Sequence, residues 1–321
     1  MAKNTAILLL AHGTPEAAEE IPEYLKNVVS GRPLPPAVLE EVHHRFVAIG
    51  GSPLTRLTLE QGDLLAKALG LPVYVGMRNW KPYIADVVAQ MVKDGMERVV
   101  AICLAPQNSR TSVGLYRRAV MAEAGAQLEV EFLEGWAENA QLATAFAERL
   151  RAVWEPFCAE TGAEIPVLFT AHSVPCRTIQ TPQPDAENPR MPVLPPDPYS
   201  TDAKKTAQQV AERVPGLKRW YFAFQSQGMS GGTWIGPTVE DTLTALREEG
   251  VRQLVIQPVG FLCDHVEILY DIDVAFQDHA AKLGIELRRA ESLNGSLRLT
   301  EALVGLAQQG LESLNRASQE Q

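Results

Sequence analysis

Residues 84–102 read IADVVAQMVKDGMERVVAI, and residues 239–257 read VEDTLTALREEGVRQLVIQ. Each stretch places apolar residues at helical spacing, then a glycine (Gly95, Gly250), then a short apolar run. This is the pattern of a helix, a turn and a buried strand. Glycine accepts the left-handed backbone at a helix end, and a continuous Val/Ile run suits a strand covered on both faces. Asp86 and Asp241 stand at the same point of the two stretches, and a Trp–Pro element precedes each one (Trp80 to Pro82, Trp234 to Pro237). Further out, AHGTP (11–15) and AHSVP (171–175) each close an apolar run. Four echoes in the same order argue for two copies of one α/β unit.

The rest of the chain alternates in the same way. Ile7–Ala11, Val73–Gly76, Val99–Ala105, Val130–Leu133, Val167–Ala171, Trp220–Gln225 and Leu254–Val259 read as buried strands. Ile84–Asp94, Leu142–Trp154, Asp202–Arg213, Val239–Glu249 and Ile268–Leu283 read as helices. Strands separated by helices imply parallel sheets joined by right-handed crossovers. The expected fold is therefore α/β: two similar Rossmann-like domains, residues 1–160 and 161–321, with a cleft between them. The last helix, from about Leu297, is expected to pack back on one of the two. Ligands of such folds sit at the carboxyl ends of the strands. Residues 182–198 hold seven of the 22 prolines, and the segment reads as an exposed extended loop.

Composition narrows the function classes. Of 321 residues, 46% are hydrophobic and 21% charged, which excludes a disordered or collagen-like chain. Asp and Glu total 39 against 29 Lys and Arg, a formal charge of −10 with no basic block, so a nucleic-acid partner is not expected. The apolar run from Ala6 to Ala11 is too short to span a membrane. Cys103, Cys158, Cys176 and Cys263 are scattered without a CxxC pair, as in a cytoplasmic protein with free thiols. Neither GxGxxG nor GxxxxGK[ST] occurs, so a nucleotide site would lack its usual phosphate cradle.

The chemistry-bearing residues gather at strand ends. His12 and His172 occupy equivalent points of the two copies, and an imidazole there can take a proton or bind a metal. In GFLCDHVEILYDID (260–273), Asp264, His265, Glu267 and Asp271 crowd a strand-to-helix junction. Glu267 and Asp271 are four apart and share a helix face. Such a pair is either a solvated face or a route for a cation; imidazole with carboxylate suits first-row divalent metals, ferrous iron included. Trp80, Tyr83, Tyr116 and Trp234 can supply flat walls, and Arg32, Arg45 and Arg110 can grip carboxylates by forked hydrogen bonds.

Seven blocks carry a family resemblance: AHGTP (11–15), VSGRP…HHRFVAIGGSPLTRLT (29–58), YVGMRNWKPYI (74–84), LAPQNSRTSVGLYRRA (104–119), FTAHSVP (169–175), FQSQGMSGGTWIGPTVED (224–241) and PVGFLCDHVEILYDID (258–273). Over nearly its whole length the sequence resembles the ferrochelatases, and more closely their bacterial soluble branch that acts on coproporphyrin. The resemblance implies a chelatase-type fold that inserts Fe2+ into a porphyrin and releases two protons. Coproporphyrin III is the expected substrate ahead of protoporphyrin IX. Iron enters as substrate, and no permanent cofactor is implied. His172 and Glu267 take the places of the family's catalytic histidine and glutamate, which are expected to face one another across the porphyrin cleft. Asp271 matches the second member of an outward acidic chain, whose third place holds Ala275. His12 stands where a tyrosine of that branch can ligate the product's iron, so the implied metal-contacting set is His172, Glu267, Asp271 and His12. His12, Arg32, Arg45, Ser52, Tyr116 and Trp234 fall at substrate-pocket positions. The chain ends LNRASQEQ, without the cysteine-rich tail that holds an iron–sulfur cluster in some relatives. A cytoplasmic monomer without a membrane segment is expected. The rival readings are a cobalt or nickel chelatase of another tetrapyrrole, and a non-catalytic haem or metal carrier.

Overall fold

A computed structural model describes residues 4–179, 195–228 and 232–317. The apolar runs form eight strands: β1 (Thr5–Ala11), β2 (Val73–Met77), β3 (Arg98–Cys103), β4 (Glu129–Leu133), β5 (Val167–His172), β6 (Trp220–Gln225), β7 (Gln253–Pro258) and β8 (Glu286–Arg289). They pair in parallel as two four-stranded sheets, ordered β2-β1-β3-β4 and β6-β5-β7-β8. The two orders are the same pattern repeated. In each sheet the strand order reverses beside the first strand, and this is where an open α/β sheet leaves a crevice at its carboxyl edge. His12 follows β1 and His172 ends β5, so both stand at such a crevice.

The helices are α1 (Ile21–Val28), α2 (Pro36–Ile49), α3 (Leu54–Leu69), α4 (Ile84–Lys93), α5 (Val113–Ala124), α6 (Ala140–Thr161), α7 (Cys176–Ile179), α8 (Tyr199–Ala211), α9 (Val239–Glu248), α10 (Val266–Leu269), α11 (Gln277–Lys282) and α12 (Leu297–Ala317). The repeated segments become α4–β3 and α9–β7, with Gly95 and Gly250 at φ of 78° and 91° as the turn requires. The preceding Trp–Pro elements match too: Met77 N–H donates to the Pro82 carbonyl and Phe224 N–H to that of Pro237.

Burial follows the strand pattern. All seven residues of β1 are buried. One apolar cluster runs beneath both sheets, joining Leu9, Val100, Phe169 and Val255 to Phe146 and Trp154 of α6 and Leu303 of α12. Each such side chain, fully buried, contributes roughly 1.5–3 kcal/mol. The outer faces are covered separately, by Val88 and Met91 of α4 and by Leu243 and Leu246 of α9. Helix α12 packs back on the first half, against α3, α6, β3 and β4. Among the described residues, no helix is long and apolar enough to cross a membrane.

Three elements differ from the sequence reading. β8 (ELRR) completes the second sheet as an edge strand, and its charged residues hide it from a search for apolar runs. β3 stops at Cys103, two residues before the expected end. The single helix expected over Ile268–Leu283 is instead α10, a π-helical turn over Asp271–Phe276, and α11. In that turn Ala275 N–H donates to the Tyr270 carbonyl, five residues back. Most of the proline-rich 182–198 segment lies outside the described residues.

Candidate active site

A cavity of about 340 Å³ opens where the two carboxyl edges meet. That is within the size range of small-molecule sites. The first sheet and its helices line it with His12, Tyr24, Arg78 and Tyr116; the second contributes His172, Tyr199, Phe261, His265 and Glu267.

His172 and Glu267 touch: Nε2 of the histidine is 3.5 Å from Oε2 of the glutamate. The expectation that they face each other across the porphyrin is therefore corrected. They form one side of the cavity. The reason is topological: β5 and β7 are hydrogen-bonded neighbours, so groups leaving their carboxyl ends emerge about 5 Å apart. The loop from β7 to α10 crosses tightly over β5. A Cβ at Gly260 would lie 2.7 Å from Ala171 Cβ, so only glycine fits the crossing that brings Glu267 to His172.

Hydrogen bonds fix both backbones. Tyr199 Oη donates to the His172 carbonyl at 2.8 Å. Gln225 Nε2 donates to the Glu267 carbonyl at 2.9 Å, and Thr170 Oγ1 holds that amide by donating to Gln225 Oε1 at 2.7 Å. His265 adds a second imidazole, its Nε2 3.7 Å from Glu267 Oε2. Its Nδ1 donates to the Cys263 carbonyl, which turns Nε2 toward the carboxylate.

The charges follow from these contacts. Burial resists ionisation of Glu267, but His172 and His265 outweigh it and hold the carboxyl well below the usual range. Burial alone would lower His172; the Glu267 charge overrides it and raises the imidazole. His12 goes the other way. Burial, reinforced by the Arg78 cation, lowers it to about 4 and leaves a neutral ring. Both nitrogens of that ring are engaged: Nε2 is 2.9 Å from Tyr24 Oη, and Asn79 Nδ2 is 3.1 Å from Nδ1. For His12 to ligate iron, one of these bonds must open.

Asp271 lies one turn beyond Glu267 and outside the main cavity. It lines an adjoining pocket with Arg45, Ser226, Tyr270 and Ala275. Arg45 Nη1 is 3.0 Å from Asp271 Oδ1, and Ser226 Oγ donates to Oδ2. Burial and the Glu267 charge raise this carboxyl to about 6, against the opposing pull of Ser226 and Arg45.

The structure separates the other sequence-derived candidates. His12 and Tyr116 line the cavity. Trp234 stands beside His172, ring centres 6.4 Å apart. Ser52 is buried behind the lining, accepting from Thr14 Oγ1 at 2.8 Å. Arg32 is exposed and donates to the Val29 carbonyl, while Arg110 pairs with Asp197 and the Pro195 carbonyl. Arg32, Arg45 and Ser52 are thus not brought into the cavity wall. Sequence reasoning missed Tyr24, Arg78, Tyr199 and Phe261. Only Arg78 carried a usable signal, directly after a strand end.

The family pattern described as Ferrochelatase matches residues 4–311. The chain belongs to the ferrochelatase family. Its reaction is insertion of a metal ion into a porphyrin. A protein named Ferrochelatase from Acidobacterium capsulatum is 74% identical, with 98% of this chain and 97% of that one covered. One named Coproporphyrin III ferrochelatase from Geobacillus sp. is 31% identical, covering 94% and 96%. Among solved structures, the sirohydrochlorin chelatase SirB of Bacillus subtilis subspecies spizizenii, in complex with cobalt, aligns with a TM-score of 0.56 at 12% identity, covering 97% and 96%. That likeness is one of fold.

Proposed function

We propose that this ferrochelatase inserts Fe2+ into coproporphyrin III, with His172 and Glu267 as the groups that meet the metal and the pyrrole protons. The contact between these two side chains, inside a cavity lined from both sheets, carries the reading. Insertion exchanges one dication for two N–H protons. The contact favours the pair as imidazolium and carboxylate, because each stabilises the charged form of the other. An incoming dication at Glu267 takes over the role of the imidazolium, which then gives up its proton. That proton leaves to solvent. The freed imidazole beside the macrocycle takes the two pyrrole protons in turn, passing the first to solvent before accepting the second, as the dication moves from Glu267 to the pyrrole nitrogens. The two groups titrate as a unit, so proton and metal move in exchange.

Asp271 continues the carboxylate line away from Glu267. His12, neutral and on the first-sheet side, is the group we assign to the iron of the product. Tyr116, which lines the cavity, and Trp234, which stands beside His172, are the groups we assign to the substrate rim; Arg32, Arg45 and Ser52 lie outside the cavity wall. Two observations support coproporphyrin: the branch-specific sequence blocks, and the name carried by the Geobacillus relative. We further place the enzyme in the cytoplasm as a monomer, in keeping with its four free cysteines. An anaerobic absorbance assay with Fe2+ and each porphyrin tests the reading. Faster turnover per enzyme on coproporphyrin III is expected; a clear preference for protoporphyrin IX overturns that choice.

A further inference from the structure

Among the described residues, Arg78 is the arginine that lines the cavity. Its backbone is fixed, because its N–H donates to the Ala11 carbonyl and continues the β1–β2 ladder by one residue. Its guanidinium lies over the Tyr116 ring, 5.8 Å from the centroid. Tyr116 and Ser112, at the start of the helix that carries Tyr116, also line the cavity.

The other arginines near the site are spoken for. Arg45 pairs with Glu41 and Asp271, Arg110 with Asp197, and Arg289 with Asp264 and Asp273. Among the described residues, no carboxylate pairs with Arg78. A half-buried guanidinium without a counter-ion loses hydration and gains little in return. A ring face recovers only part of that loss. The arrangement is favourable when an anion completes it.

What enters this cavity limits the anion. A divalent cation is repelled by Arg78, and the macrocycle itself is uncharged. The anionic parts of the substrate are the carboxylates on its rim. A carboxylate also matches the planar fork of a guanidinium, which can donate two parallel hydrogen bonds. We infer that Arg78, stacked over Tyr116, receives one rim carboxylate of the porphyrin and so sets the rotation of the macrocycle over His172 and Glu267. This rests on the porphyrin reading above. It makes Arg78 a specificity-determining residue for the first-sheet side of the cavity.

The test uses Arg78→Gln, Arg78→Ala and Arg78→Lys in the full-length enzyme. Loss of one charge-assisted contact corresponds to a rise of about 10- to 100-fold in KM for coproporphyrin III. That rise is expected in the glutamine and alanine variants, with kcat within about threefold, KM for Fe2+ unchanged, and partial recovery in the lysine variant. Fluorescence titration with coproporphyrin III tetramethyl ester, which carries no carboxylate, supplies the control. Its affinity is expected to be the same in wild type and Arg78→Gln. An equal loss of affinity for the ester overturns the proposal, because Arg78 would then act on packing. So does a fall in kcat at constant porphyrin KM, which would place its action on His12. The coproporphyrin reading fails separately: wild-type enzyme preferring protoporphyrin IX would sink that choice, and the same variants would then be measured on protoporphyrin IX and its dimethyl ester.

Discussion

The Arg45 guanidinium sits 3.0 Å from the Asp271 carboxylate and ties helix α2 to the π-helical turn beyond Glu267. The protein thus supplies its own cation to the carboxylate next in line after the His172–Glu267 pair. Position 275, one turn further on, is alanine and adds no charge. Arg45 is also held by Glu41 and covers the Tyr270 ring, so it is well placed even though about a third of its side chain is exposed. A double-mutant cycle of Arg45→Met with Asp271→Asn is expected to give a coupling energy of about 1 kcal/mol in urea unfolding. Additive effects would show that the pair contributes nothing.

Asp271 also makes stability depend on pH. Its folded carboxyl is raised to about 6, above the ordinary aspartate value of 3.8. Between these values the folded protein binds more protons than the unfolded chain, so stability falls as pH rises through that window. Above about pH 6 the full penalty of the buried charge is present. Asp271→Asn, which mimics the protonated form, is expected to be more stable than wild type at pH 8, by roughly 1–3 kcal/mol. The advantage should shrink toward pH 4.5. Urea titrations of both proteins at the two pH values check this; a gain independent of pH would assign the effect to something other than ionisation.

His172 and Glu267 are expected to separate by function. His172→Ala is expected to abolish metal insertion while the thermal transition stays cooperative. Glu267→Gln keeps the shape but removes the charge that holds the imidazolium. Its turnover should drop at least about 100-fold, with porphyrin affinity largely retained. Anaerobic insertion kinetics and porphyrin fluorescence titration read the two quantities. Weakened porphyrin binding at undiminished turnover would give Glu267 a packing role instead.

The repeat was legible because each copy obeys the same local rules. Gly95 and Gly250 mark the same turn, and His12 and His172 mark the same strand end. The contact of His172 with Glu267 was in principle legible as well. Since β1 neighbours β3, the repeat implies that β5 neighbours β7, and their ends must lie side by side. The family picture of two facing groups obscured that inference. The π-helical turn left no mark in composition, because a shift from four-residue to five-residue hydrogen bonding uses the same residue types. Arg78 carried one signal, its place directly after β2, but its residue type is that of any surface charge until the second sheet closes over it. Arg32 and Arg45 attracted attention through their motif, yet the Val29 carbonyl just after α1 and the Asp271 carboxylate claim them.

Gly260 links the fold to the chemistry most directly. Its backbone needs no unusual φ, so the demand for glycine is one of space: the position where a Cβ would go is 2.7 Å from Ala171 Cβ and 2.8 Å from Ala171 Cα. These neighbours belong to a central strand and cannot move aside. In Gly260→Ala the loop must therefore lift, carrying α10 and Glu267 away from His172. Overpacking of this kind typically costs about 1–3 kcal/mol, well short of unfolding a chain with this much buried core. Turnover should fall much further than stability, since a displacement of about 1 Å at a reacting pair can lose two orders of magnitude. The glutamate would also lose its charged neighbour and become easier to protonate, so the acidic limb of the pH–rate profile should shift to higher pH. A Gly260→Ala enzyme with wild-type kinetics and an unshifted acidic limb would show that the tight crossing is not what brings the two groups together.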